Sequence, residues 1–283
     1  MSYLCLIFNG DDYGRAPSIN AAITRAHEEG VLTSASLMVT GEAVDEAVAQ
    51  ARDHPGLAVG LHLTLSDARG VGPGNPILTG ILCFFSPAVR SQLRAEITAQ
   101  LGRFTDTGLL LSHVDGHYLM HLHPTVFAAL LPLAEQYGCR GIRLPRDDLR
   151  LALRLDRTQA ATKVTWASIY ALLCWVAEQR LKGSSVAYTD RVYGFLQTGR
   201  MHEGFVVGLL RRIPATVSSA ELYFHPSTQT WDEPYGPNPG DLAALVSPRV
   251  RQAVDERRAR LTNYAALAVS GHRRMACPGH YCS

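Results

Sequence analysis

The chain has 283 residues, 47% of them hydrophobic, and a net charge of +2. That is enough apolar material for one large core, and α/β barrels commonly reach this length. No basic patch with interleaved aromatics stands out, so nucleic acid is not an expected partner.

Tyr3–Asn9 reads as a buried strand, and Asp11 and Asp12 stand side by side just after it. Adjacent carboxylates raise each other's pKa, and partial burial adds a desolvation penalty. A metal ion removes that difficulty by binding one carboxylate and leaving the other free as a base. A helix follows from Pro17 to Gly30, with Ile19, Ile23 and Ala26 on one face. Ser34–Thr40 and Ala58–Leu65 are the second and third strands, separated by a helix over Glu42–His54. A Gly/Pro-rich loop then spans Asp67 to Gly80, and Ser86-Pro87 opens a long helix to about Thr107.

The alternation continues with a strand at Leu109–Val114, a helix from Thr125 to Tyr137 and a strand at Gly141–Leu144. Residues 147–190 lack strand signals and read as a mostly helical insertion or lid. Within them, the apolar run Val164 to Ala177 is too short for a bilayer span. It reads as a core helix, or alternatively as an interfacial helix carrying Trp166 and Trp175. Ser218–Phe224 returns to strand character, and helices follow from Leu242 to Arg257. Strands alternating with helices predict βαβ units and a mainly parallel sheet: an α/β chain, a (β/α) barrel that need not be completely closed.

Most of the six cysteines sit singly in apolar runs, as reduced thiols of a cytoplasmic protein do. No signal peptide is recognisable at the N-terminus. Residues 1–265 read as a single barrel domain and 266–283 as a disordered tail. That tail carries His272, Cys277, His280 and Cys282, a set that could also bind metal.

In such folds functional residues collect at the carboxyl ends of strands. Asp12, His62 and His117 fall there, and two imidazoles with one carboxylate leave positions open for water and substrate, as a catalytic metal site requires. Each has a structural alternative: a satisfied core histidine for His62, a turn cap for His117, a helix cap for Asp12. Asp115 is placed to orient a liganding imidazole. His121 and His123 read as groups supporting the ligands or facing substrate. His117 and His121 have the spacing of a helical zinc pair, but Tyr118 stands where a zincin needs Glu. Neither a nucleophile elbow nor a phosphate-binding glycine loop is present in the sequence.

The clusters Asn9-Gly10-Asp11-Asp12-Tyr13-Gly14, Thr33–Val39, His54–Thr64 and His113-Val114-Asp115-Gly116-His117, followed by Arg143-Leu144-Pro145-Arg146 and His225-Pro226, resemble the YdjC-like carbohydrate deacetylases. The resemblance covers the chain to about residue 265. It implies a (β/α) barrel that removes N-acetyl groups from amino sugars with one divalent ion, Zn2+ or Mg2+. It makes Asp12, His62 and His117 the metal ligands, Asp11 the general base and His225 the general acid. Arg143 either holds Asp11 ionised or contacts substrate, with a surface ion pair as its bland alternative. Asp190–Phe195 with Gly199-Arg200-Met201 further resembles the branch associated with hopanoid biosynthesis. That branch implies a lipid-linked N-acetylglucosamine substrate and peripheral contact at the inner face of a membrane. Soluble chito-oligosaccharide deacetylation, a metal-dependent phosphoesterase and a non-catalytic sugar or lipid binder are the competing readings. Two positions depart from the family pattern: Leu119 where many members have His, and Gly10 where Ala is usual.

Overall fold

The computed structural model describes residues 3–65, 75–233 and 235–269. At its centre is β1 (Cys5–Tyr13), buried along its whole length. A parallel strand covered on both faces is buried in that way. The strand continues beyond the apolar run, so Asn9, Asp11 and Asp12 are buried at its carboxyl end.

In chain order there follow α1 (Pro17–Glu29), β2 (Ser34–Leu37), α2 (Val44–Asp53), β3 (Ala58–Leu63), α3 (Pro76–Phe85) and α4 (Pro87–Asp106). Next come β4 (Val114–Gly116), α5 (Pro124–Gln136), α6 (Leu149–Leu155), α7 (Ala160–Leu181), β5 (Arg191–Tyr193) and α8 (Glu203–Leu210). The described chain ends with β6 (Ser219–Phe224), α9 (Pro239–Leu245), α10 (Pro248–Glu256), β7 (Arg260–Leu261) and α11 (Tyr264–Val269).

Local sequence explains where these helices begin. Pro occupies an opening position of α1, α4, α5, α9 and α10, where its fixed φ suits the helix and its missing N–H costs nothing. Ser86, Asp148 and Asn238 cap α4, α6 and α9 by accepting the backbone N–H of Val89, Leu151 and Asp241. Such caps are worth about 1 kcal/mol each.

Six strands form one parallel path, β4-β3-β2-β1-β6-β5, and β7 pairs with Cys5 and Leu6 of β1. Between the edges β4 and β5, the described residues make the isolated bridges Val114–Ile142 and Gly141–Ala187. The sheet is therefore a curled, open half-barrel, the incompletely closed form that the sequence reading left open. The expected strand at Gly141–Leu144 makes single bridges only, and Pro145, which has no N–H to donate, follows at once.

Other boundaries also differ. The ladder labelled β4 starts at Val114 rather than Leu109, although Ser112 N–H already donates to Val59 O at 2.9 Å. Of the expected Gly/Pro loop, residues 67–74 lie outside the described residues, and 76–80 begin α3. The apolar run at Val164–Ala177 belongs to a 22-residue helix, α7, long and apolar enough to cross a membrane. It is not a core helix. It buries only Lys163, Cys174, Ala177 and Leu181 and leaves Trp166, Leu172 and Trp175 exposed. At the C-terminal end, α11 runs to Val269 and buries Leu267. The Cys/His set from His272 to Cys282 lies outside the described residues.

Candidate active site

The strand ends bring the acids and histidines together. His62 on β3 and Asp115 on β4 are direct neighbours in the parallel register. On β1 the register with β2 shifts between Gly10 and Tyr13, and Asp12 takes a left-handed φ of 64°. A bulge re-aims side chains, so both Asp11 and Asp12 reach the same rim instead of alternating across the sheet. Left-handed backbone at a non-glycine residue costs of order 1 kcal/mol or more and collects at functional sites. Tyr118 and Leu119, which directly follow His117, share it with φ of 53° and 56°.

Asp12 lies between two imidazoles. Its Oδ1 is 3.4 Å from His62 Nε2 and 3.2 Å from His117 Nδ1. That oxygen is buried and accepts no hydrogen bond. The other nitrogen of His62, Nδ1, donates to Asp115 Oδ1 at 2.8 Å, so Nε2 is the nitrogen that faces Asp12. One ligand atom from each of Asp12, His62 and His117 falls within 4.8 Å of the others. An unsatisfied carboxylate oxygen beside two imidazole nitrogens, one of them backed by a carboxylate, fits a divalent ion.

Charge points the same way. Burial favours a neutral His62, but Asp115 more than offsets it and holds the imidazole at about 10. Burial likewise opposes ionisation of Asp12, and His117 and His62 outweigh it, holding the carboxyl well below its usual range. The pocket is thus electrostatically prepared for positive charge at this point.

Behind the triad is Arg143, which is fully buried. Its Nη1 and Nη2 each donate to one oxygen of Asp11 at 2.7 Å, a two-pronged pair. Nη2 also lies 2.8 Å from Asp115 Oδ2, and Nε donates to Glu221 Oε1 at 2.8 Å. Tyr264 donates its hydroxyl to Glu221 Oε2. Desolvation weighs against the cation, yet Asp11, Asp115 and Glu221 together hold Arg143 well above its usual pKa. Asn9 Nδ2 donates to Asp11 Oδ1 and to Ser36 Oγ, each at 2.8 Å. Ser36 passes its own hydrogen to Asp115 Oδ2 at 2.8 Å.

His225 follows β6, and its Nε2 lies 3.9 Å from Asp11 Oδ2. Its backbone N–H is held by Asp241 Oδ2 at 2.9 Å. On the other side, Arg15 Nη1 donates to Asp12 Oδ2 at 3.3 Å, pairs with Glu233 and stacks over Trp231 at 4.8 Å. The free oxygen of the Asp12 carboxylate is therefore Oδ1.

The model of the family described as YdjC-like protein matches residues 5–256. The chain belongs to the YdjC-like family. A carbohydrate deacetylase of Mus musculus is 31% identical over 251 residues, covering 78% of this chain and 77% of that protein. Carbohydrate deacetylases of Brevibacillus brevis and Geobacillus stearothermophilus are 42% and 35% identical, over 47% and 54% of this chain. Those two matches span 56% and 62% of the relatives' own lengths. Among solved structures, a protein of Enterococcus faecalis named for cellobiose-phosphate cleavage superposes with a TM-score of 0.67 at 22% identity, over 94% of this chain and 99% of that one. The lactam utilization protein of Thermus thermophilus gives 0.52 at 16% identity, over 92% and 100%. These two share the fold.

In this YdjC-like chain, Asp11, Asp12, His62, Asp115, His117, Arg143 and His225 form one connected constellation. Of the alternatives open for Arg143 and His121, the geometry matches the supporting ones. Arg143 is not a surface ion pair: it is buried and enclosed by three carboxylates. His121 is buried, and its Nε2–H donates to the carbonyl of Arg143 at 2.9 Å. Ser36, Glu221, Tyr264 and Arg15 are members that sequence reasoning missed. An acid in the middle of the apolar β6 run was the one visible signal, for Glu221.

Proposed function

We propose that this protein is a divalent-metal-dependent N-deacetylase of amino sugars. The observation that carries the reading is the unpartnered Asp12 Oδ1 between His62 Nε2 and His117 Nδ1, with Asp11 beside it on the same strand end. The carbohydrate deacetylase relatives support the substrate class.

Asp12, His62 and His117 would hold the ion, either Zn2+ or Mg2+. When bound, the ion supplies Lewis acidity toward the acetyl carbonyl and the attacking water. Asp11 takes the proton from that water as its oxygen bonds to the carbonyl carbon. Arg143 holds Asp11 in place beforehand through both carboxylate oxygens. His225, held by Asp241 and close to Asp11, gives a proton to the nitrogen as the C–N bond breaks. An unprotonated sugar amide anion would be a very poor leaving group. The products are acetate and a free sugar amine.

The finer reading is a lipid-linked substrate, N-acetylglucosaminyl hopanoid, turned over at the inner face of a membrane. The motifs at Asp190–Phe195 and Gly199-Arg200-Met201 support it.

The test is acetate release from N-acetylglucosaminyl hopanoid and from chito-oligosaccharides, beside phosphate release from phosphate esters. Asp11→Asn is expected to keep metal and lose roughly 100-fold or more in kcat, whereas His62→Ala loses both metal and turnover. Phosphate release without acetate release overturns the deacetylase reading. Faster turnover of the soluble sugars overturns the lipid-linked one.

A further inference from the structure

Two helices present apolar faces to solvent beside the metal-ligand turn. On α7, Trp166, Ile169, Leu172 and Trp175 are exposed, Leu172 and Trp175 by 62% and 57%. On α3, Ile81, Phe84 and Phe85 are exposed, Phe85 by 79%. Both helices pack on α5 and on the turn at His117–Leu122. Tyr118, directly after His117, is itself 56% exposed on that turn. Large apolar groups exposed on two helices that share the same supports mark an interaction surface.

The charges nearby select the partner. Residues 149–185 carry six Lys/Arg and two Asp/Glu, a net of +4 within a chain of net +2. The two acids are already engaged: Asp156 with Lys163, and Glu178 with Arg146. The exposed bases bracket α7, with Arg150, Arg154 and Arg157 before it and Arg180 and Lys182 at its end. Apolar and tryptophan side chains flanked by long basic ones match a lipid interface, where rings sit at headgroup level and cations meet anionic headgroups. The buried side of α7, anchored through Cys174, Ala177 and Leu181, keeps the helix lying on the protein.

We propose that α7 and α3 dock this protein peripherally on an anionic lipid bilayer, with the metal-ligand turn facing the membrane edge. This does not rest on the deacetylase reading, because vesicle binding is measured without turnover.

The experiment is flotation of the full chain with phosphatidylcholine vesicles, with and without phosphatidylglycerol. Binding to the anionic vesicles is expected, with weaker binding to neutral ones. The double variant Leu172→Ser/Trp175→Ser is expected to lose roughly tenfold or more in vesicle affinity, with its thermal unfolding midpoint unchanged or raised. Arg180→Glu/Lys182→Glu is expected to lose the preference for phosphatidylglycerol. The proposal is overturned if the parent floats with neither vesicle, or if the serine variant binds as the parent does. It is also overturned if light scattering shows a dimer that the serine variant dissociates, since a second copy would then occupy the face.

Discussion

Arg143 grips both oxygens of Asp11 at 2.7 Å, across 132 residues of sequence and with no solvent access to the guanidinium. The same cation also serves Asp115 and Glu221. One buried positive charge thus holds three carboxylates in place, and one of the three is the proposed base.

Replacing Arg143 therefore has two separable consequences. Arg143→Met leaves three buried carboxylates without their cation, and removing one partner of such a network costs roughly 3–5 kcal/mol. Arg143→Lys keeps the charge but cannot form the two-pronged contact. It is expected to fold, with kcat lowered roughly 10–100-fold and KM little changed. Denaturant titration and steady-state kinetics read the two effects. Parent kinetics in the lysine variant would remove Arg143 from any role in orienting Asp11.

Asp115 acts through His62. Its Oδ1 accepts the Nδ1–H bond, so Nε2 is the nitrogen that faces Asp12. Arg143 holds Asp115 ionised: burial alone would raise its pKa, but the guanidinium and His62 hold it far below the usual carboxylate range. Asp115→Asn removes the charge while keeping the shape. Losing a carboxylate behind a metal-binding imidazole typically costs 10–100-fold in affinity, so zinc titration by calorimetry should weaken by roughly that factor. An unchanged affinity would mean that Asp115 merely fills space between Arg143 and Ser36.

The part of this site legible in the sequence is the part written at strand ends. Asp11 and Asp12 follow the first apolar run, His62 lies late in the third strand and His117 directly follows the fourth, and strand order alone carries them to one rim. The supporting shell was not legible, because its contacts join distant residues. Glu221 meets Arg143 across 78 positions and Tyr264 across 43, and nothing local announces either pairing. The placement of His121 is hidden because Tyr118 and Leu119 turn left-handed without a glycine. That turn sends the ring back to the Arg143 carbonyl instead of outward. Sheet closure was illegible for a different reason. It depends on how many ladder bonds form around Ile142 and Ala187, and each of those positions makes a single bridge.

Two glycines permit the close packing behind the site. A Cβ at Gly60 would lie 2.4 Å from the His113 ring, and one at Gly141 would lie 2.3 Å from the ring of Tyr264. His113 and Tyr264 stack with centroids 4.9 Å apart, so neither ring can move without displacing the other. Overpacking of this kind costs about 1–3 kcal/mol. Gly60→Ala and Gly141→Ala are each expected to lower the urea midpoint accordingly. Because Tyr264 donates to Glu221, Gly141→Ala should also lower kcat. Parent stability in both variants would show that the rings relax freely.

His121 makes the fold sensitive to acid. Burial disfavours its charged form and pushes the imidazole down to about 4, although the hydrogen bond to the Arg143 carbonyl works in the opposite direction. The unfolded chain titrates near 6.5, so it binds the proton first as pH falls. The stabilising contribution is therefore complete above about pH 6.5 and is lost as pH drops through about 4. A gap of this size corresponds to roughly 3 kcal/mol. His121→Gln keeps an N–H to offer the carbonyl but does not titrate. Urea unfolding at pH 7 and at pH 4.5 measures the effect in both proteins. The difference between the two pH values should shrink by a few kcal/mol in the variant, while stability at pH 7 falls only modestly. If both proteins lost equal stability on acidification, the acid sensitivity would have to come from other buried groups, with His113, also pushed down to about 4 by burial, next in line.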